Sequence, residues 1–238
     1  MKKQEKNIIG LSLLSSVVVL AGFAGYELLH NERVLNLLDK VQKQLEAYID
    51  KPSTIGLNSS QLTELHYGQE IEEVAAKYSL PASYLKALIV LECSGKKPVE
   101  PRYERHIFNK LKKVRDTKGK FYEAVTHEIL HDASDAAIEN LAKSWGPFQL
   151  MGYKCLQLNV LVTDIRGDDA LDWGAKWIQM EYGHLLKQKR YKDAFHYHNS
   201  GRLFPADGIP ATHDPEYVEK GLKYMDYFKR KADKHVKI

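Results

Sequence analysis

Three groups of residues in this 238-residue chain have types and spacing that suit chemistry. The first is Glu92, in the run Ala87-Leu-Ile-Val-Leu-Glu-Cys-Ser94. Its carboxylate falls in the last turn of a strongly apolar segment. There it faces the negative end of a helix dipole among apolar neighbours, and both effects favour the protonated acid. A group that keeps its proton near neutral pH is what a general acid needs to give that proton to a leaving oxygen. Taken alone, however, Glu92 reads first as a surface glutamate at the end of a core helix. The second group, His127-Glu-Ile-Leu-His131, matches H-E-x-x-H, in which two histidines one helical turn apart bind zinc and the glutamate activates water. A zinc protease also needs a third ligand. Asp132-Ala-Ser-Asp-Ala-Ala137 lacks the glycine and histidine of the long form, and Glu139 follows too closely for the shorter one. The third group is a scatter of amides and aromatics, in Ser144-Trp-Gly-Pro-Phe-Gln-Leu-Met151, Tyr197-His-Asn-Ser-Gly201 and Glu216-Tyr-Val-Glu-Lys220. Gln149 and Asn199 offer donors and acceptors for hydroxyl and N-acetyl groups, while Tyr103, Phe148, Tyr197 and Tyr217 offer flat faces. Seen without context, Phe148 and Met151 read as core or cleft wall.

The elements that must hold these groups follow from periodicity. Ile71, Val74, Ala75 and Tyr78 predict a helix from about Gln69 to Tyr78. Pro81 suits the first turn of the next helix, and Leu85, Leu88, Ile89 and Leu91 carry it to a stop at Ser94-Gly95, with Glu92 in its last turn. Upstream, Lys2, Lys3 and Lys6 precede a run without charge from Ile8 to Tyr26, long enough to approach the roughly 20 residues that span a bilayer. An uncleaved anchor is expected, with a cleaved signal at Gly22-Phe23-Ala24 as the alternative. The leading lysines place the N-terminus in the cytoplasm and the remainder on the extracytoplasmic side. Val34, Leu38, Val41, Leu45 and Tyr48 then predict a short helical stalk, and Lys51-Pro-Ser-Thr-Ile-Gly-Leu-Asn-Ser-Ser60 a linker. The expected organisation is an anchor over residues 1–30, a stalk and linker over 31–60, and one globular domain over 61–238. A net charge of +4 and a pI near 8.8 are too mildly basic to indicate nucleic acid. Cys93 and Cys155 either pair in an oxidising compartment or stand as two unrelated thiols.

The ordered blocks resemble a known family. Ala87 to Ser94 resembles the helix end that bears the catalytic glutamate in lysozyme-like peptidoglycan glycosidases, the soluble lytic transglycosylases and N-acetylmuramidases. Ser144 to Met151 is similar to their Gly-x-x-Gln-hydrophobic-Met element, Tyr197 to Gly201 to their Tyr-Asn-x-Gly element, and Glu216 to Lys220 to their closing Tyr-Val element. Tyr103-Glu-Arg-His-Ile-Phe108 and the lead-in to Ser144 look like the muramidase branch. Two positions depart: His198 stands where the Tyr-Asn-x-Gly tyrosine aligns, and Gly146-Pro147 replaces a glycine-leucine pair.

The resemblance spans residues 61–229 and implies a mainly α, lysozyme-like α+β domain with a substrate cleft. It implies cleavage of the β-1,4 bond between N-acetylmuramic acid and N-acetylglucosamine, with Glu92 as acid and Glu104, flanked by Arg105 and His106, as second carboxylate. It implies sugar contacts at Tyr103, His106, Ser144, Phe148, Gln149, Tyr197, His198, Asn199 and Tyr217. No cofactor or metal is expected; the partners are glycan strands and, through the N-terminal run, a membrane. Whether water or the muramic 6-hydroxyl captures the sugar is left open by the resemblance. A zinc protease using His127, Glu128 and His131 and a non-catalytic wall-binding module are the alternatives.

Overall fold

The computed structural model describes residues 54–235, together with Lys40 and Val41, which are helical. The expected anchor at 8–26 and, apart from those two residues, the stalk at 34–48 lie outside the described residues. Among the described residues no helix is long and apolar enough to cross a membrane. The chain divides into two units, Met1–Ile55 and Gly56–Ile238, and the second carries the architecture below.

That unit is mainly helical. α1 (Ser59–Tyr78) and α2 (Ala82–Cys93) come first, followed by β1 (Arg102–Tyr103), α3 (Arg105–Asp116) and a hairpin of β2 (Phe121–Tyr122) with β3 (Val125–Thr126). Two short helices, α4 (His127–Leu130) and α5 (Asp135–Leu141), lead to β4 (Lys143–Trp145) and β5 (Leu150–Met151). A 3-10 turn at Gly152–Lys154 then opens α6 (Cys155–Leu158) and α7 (Val162–Arg166). The longer α8 (Ala170–Lys187), α9 (Tyr191–Ser200) and α10 (Tyr217–His235) complete the unit. β4 is the middle strand of a small antiparallel sheet, with Ser144 opposite Arg102 on one side and Met151 on the other. The strands are short because they serve as a platform for turns, while the helices carry the core.

α1 begins ten residues before the predicted start at Gln69. The Asn58 side chain accepts from the Gln61 backbone N–H at 3.0 Å, and Gln61 accepts from the Asn58 N–H at 3.0 Å, which closes a capping box. Its buried stripe runs through Thr63, Tyr67, Ile71 and Val74. The first two positions are polar or amphipathic, so the apolar pattern starts late even though the helix does not. α2 matches its expected course, with Ser94 in the left-handed region at φ 55° and Gly95 following at φ 70°. Gly95 is required by contact as well as by conformation, since a Cβ there would sit 2.5 Å from the Thr63 nitrogen.

α2 forms the centre of the core. Tyr84, Leu85, Leu88 and Ile89 are fully buried between α1 and α10. On the same helix burial alone would lower the Lys86 ammonium, but Glu72 at 2.8 Å and Glu64 at 3.1 Å hold it above the ordinary lysine value. This paired charge ties α2 to α1 without breaking the core. Cys93 and Cys155 are separate free thiols, which corrects the pairing alternative. Burial pushes each up to about 11.

Candidate active site

Glu92 ends α2 beside α9 and α10. The first residue of α10, Tyr217, is buried and donates its hydroxyl to Glu92 Oε1. The second neighbour is His198 of α9, whose Nε2 lies 3.8 Å from the same oxygen. His198 is nearly enclosed, and its ring is held at both nitrogens. Nε2 is 3.1 Å from the Phe148 carbonyl, an acceptor only, so this nitrogen carries the hydrogen; Nδ1 then accepts from the Tyr182 hydroxyl at 2.7 Å. Tyr182 in turn accepts from Tyr84 at 3.3 Å. The result is a directed chain, Tyr84 to Tyr182 to His198 to the Phe148 carbonyl, with the His198 N–H edge turned toward Glu92. Burial lowers the His198 pKa against the opposing pull of Glu92. Burial also raises Tyr182 and Tyr217 well above the ordinary phenol value. The Tyr217 hydroxyl is thus the donor to Glu92, and the His198 ring stands beside the same oxygen with its N–H given to the Phe148 carbonyl.

His198 also lines a cavity of about 550 Å³. α9 and the turn after it supply Tyr197, Asn199 and Gly201, the hairpin supplies Tyr122 and Glu123, and α8 supplies Trp177 and Glu181. Gln149 enters from the turn before β5. Its backbone is left-handed at φ 48°, a conformation a non-glycine residue adopts at a cost of about 1–2 kcal/mol. Its amide is fixed at both ends, Oε1 accepting from the Ser144 hydroxyl at 2.7 Å and Nε2 donating to the Gly146 carbonyl at 3.1 Å. One donor hydrogen and one lone pair are left for a ligand. Across the cavity lining, polar groups outnumber apolar faces, as hydroxyl- and amide-rich ligands require.

The predicted residues therefore separate into three sets. Glu92 and Tyr217 are hydrogen-bonded with His198 beside them, while His106, Gln149, Tyr197, His198 and Asn199 line the cavity and Ser144 fixes Gln149 from behind. Four assignments are corrected. The Phe148 ring is 1% exposed, packed where a Cβ on Gly174 would lie 2.6 Å from it, so Phe148 is core and contributes only its carbonyl. Tyr217 is buried and bonded to Glu92 rather than presenting a face to a sugar. Glu104 stands at the start of α3 without a side-chain capping bond, with Arg102 Nε at 2.7 Å and His106 Nδ1 at 3.5 Å. The cation beside it is thus Arg102, not Arg105, and Glu104, like Glu92, is outside the cavity lining. Tyr103 is exposed on β1, edge-on to Phe108 and away from the cavity lining.

The H-E-x-x-H element spans α4, a helix of only four residues, and its C-cap His131, with a second short helix, α5, before Ser144. His131 uses Nδ1 on the Glu128 carbonyl at 2.9 Å and Nε2 on Asp132 at 2.9 Å, while His127 Nδ1 faces the Val114 carbonyl at 3.3 Å. Among the described residues no three His, Cys, Asp or Glu side chains converge as metal ligands.

Several lining residues carry no motif: Trp177 and Glu181 of α8, Tyr122 and Glu123 of the hairpin, and Lys154. Trp177 and Glu181 are four apart, hence on one helix face, which is the only signal the sequence holds for them.

No family model matches the chain, and no curated protein matches it. Among solved structures it is similar to one described as the crystal structure of Burkholderia AP3 phage endolysin, with 18% identity over 73% of this chain and 77% of that one. The TM-score of 0.48 marks a likeness too loose to carry any conclusion about this chain.

Proposed function

We propose that this chain cleaves peptidoglycan glycan strands, with Glu92 as the proton donor to the leaving glycosidic oxygen. The observation that carries the reading is the Glu92 corner: a carboxyl group with a phenol and a neutral imidazole as its partners, joined through His198 to a cavity lined by Gln149, Tyr197 and Asn199. The resemblance of the ordered blocks to lysozyme-like glycosidases supplies the substrate class. Gln149 and Asn199 suit N-acetyl and hydroxyl groups, and the Tyr197 and Trp177 rings suit sugar faces. The organisation that goes with this function is a domain over residues 61–238 on the extracytoplasmic side, tethered by the apolar run at 8–26.

The test is clearing of a peptidoglycan gel by the full chain in mild detergent. Clearing that persists in chelator and disappears in Glu92→Gln supports the glycosidase. Clearing abolished by chelator points to a metalloprotease instead, and binding without clearing to a wall-binding module.

A further inference from the structure

The cavity wall contains two carboxylates in unlike circumstances. Glu123 is fully engaged: the Tyr153 hydroxyl donates to Oε1 at 2.7 Å, and Lys154 pairs with Oε2. Glu181 is half-buried, and its hydrogen bond comes from the Tyr197 hydroxyl at 3.4 Å; it forms no ion pair among the described residues. Glu181 thus takes one long hydrogen bond where Glu123 takes a short one and an ion pair, which leaves its oxygens open to the cavity. The backbone points the same way. α8 is interrupted directly after Glu181, where Tyr182 leaves helical geometry at φ −140° and ψ 18°. Mid-helix irregularities of this kind have local causes and recur at functional sites. This break sends Tyr182 into the buried chain that ends on His198 beside Glu92, while Glu181 keeps its place in the cavity wall. One irregular residue thus joins the Glu92 corner to the unpaired carboxylate.

We propose that Glu181, not Glu104, is the second catalytic carboxylate, acting as general base on the water that attacks the anomeric carbon. The inference rests on the glycosidase reading with Glu92 as acid. In the step, the water oxygen bonds to the anomeric carbon and Glu181 takes the water's proton. The bond from that carbon to the glycosidic oxygen breaks, and the oxygen leaves with the proton from Glu92. Two carboxylates serving a water in this way make the reaction a hydrolysis, with reducing sugar ends and no anhydro ring. Tyr197 then orients Glu181 through its hydroxyl.

The experiment compares the full-length chain with Glu92→Gln, Glu181→Gln and Glu181→Ala on purified peptidoglycan, with and without sodium azide, and identifies the soluble products by mass spectrometry. Reducing ends are expected from the unmodified chain. Glu181→Gln should lower kcat by about 10²–10⁴-fold with KM within about threefold, and should remove the acid limb of the kcat/KM profile. In Glu181→Ala, azide, small enough to enter the space left by the side chain, should restore turnover and appear in the product as a glycosyl azide. Anhydro ends from the unmodified chain, Glu181 variants within threefold of it, or a deficit that lies in KM and ignores azide would each overturn the role of Glu181. Should Glu181→Ala fail to fold, the kcat loss and pH profile of Glu181→Gln decide the matter. Failure of the glycosidase reading looks different: no glycan fragments from the unmodified chain, or undiminished activity in Glu92→Gln.

Discussion

Glu92 and Glu104 are carboxylates at opposite kinds of helix end, enclosed to a similar degree, with 17% and 22% of their side chains exposed. Glu104 sits at the start of α3, and its oxygens go to Arg102 and His106. Glu92 sits at the end of α2, and its contacts are the Tyr217 phenol and the imidazole edge of His198, kept neutral by burial. Burial therefore does not distinguish these two carboxylates. The charge of the partners does. A guanidinium partner favours an anion and holds two side chains together at a surface, whereas the phenol that donates to Glu92 brings no opposing charge.

Glu92→Gln is the most damaging substitution that comparison predicts. The amide keeps the size of the side chain and can still accept from Tyr217, so the fold should survive with a melting temperature within a few degrees of the original. Glycan cleavage should fall by about 10²–10⁴-fold, the contribution of a positioned general acid. Turbidity loss of a peptidoglycan suspension measures the activity and a thermal melt measures the fold. Retained activity would break the contrast at its stronger end.

The acid dependence of stability tests the neutral state of His198. Its pKa is lowered in the fold, so below the unfolded value of 6.5 the unfolded chain takes up a proton that the folded chain refuses. Above that value neither state carries the proton and the group contributes no pH dependence. Stability is therefore lost as pH falls through about 6.5 and below, with a slope of up to about 1.4 kcal/mol per pH unit for this one proton. Glutamine can still donate to the Phe148 carbonyl and accept from Tyr182, so His198→Gln should remove this slope while keeping the fold. Urea unfolding at a series of pH values from 7.5 to 5 measures it. An unchanged slope would mean that the imidazole beside Glu92 is not the neutral partner described above.

What could be read from the sequence divides along the same physical line. α2 was legible because Leu85, Leu88 and Ile89 are apolar at helical spacing and Ser94-Gly95 ends the helix. Glu92 was placed with it, since its position in the last turn follows from the same count. The start of α1 was not, because Thr63 and Tyr67 face the core without reading as apolar. Gln149 and Asn199 announced themselves as amides in short motifs. Tyr182, Glu181 and Trp177 did not, since their placement depends on a backbone break inside α8 and on packing against α9, neither of which leaves a local pattern. Phe148 could be read two ways, as core from its own type and as a sugar contact from the resemblance, and the first holds: its ring fills the space left by Gly174, and its carbonyl meets His198.

Tyr217→Phe isolates the phenol that holds Glu92. The ring remains buried at the start of α10 and only the hydroxyl is lost, so stability should fall by about 1 kcal/mol, the worth of one hydrogen bond. Activity should fall by about tenfold, because a freed carboxyl group spends less time aimed at the leaving oxygen. The loss should appear in kcat rather than KM, since Tyr217 is covered and touches Glu92 instead of a ligand.

The smallest effect belongs to Glu104→Gln, and it is the sharpest check on the other half of the contrast. The substitution removes the charge facing Arg102, whose own side chain is 76% exposed, so the pair is worth well under about 1 kcal/mol after screening by solvent. The amide oxygen can still accept from Arg102 Nε, and the backbone N–H of residue 104 keeps its bond to the Ala142 carbonyl at 3.0 Å, so the start of α3 should hold its place. Activity should stay within about threefold of the original, with an unaltered pH profile. A loss on the scale of Glu92→Gln would return the second carboxylate to Glu104, and with it the idea that a carboxylate beside a guanidinium reacts at this site.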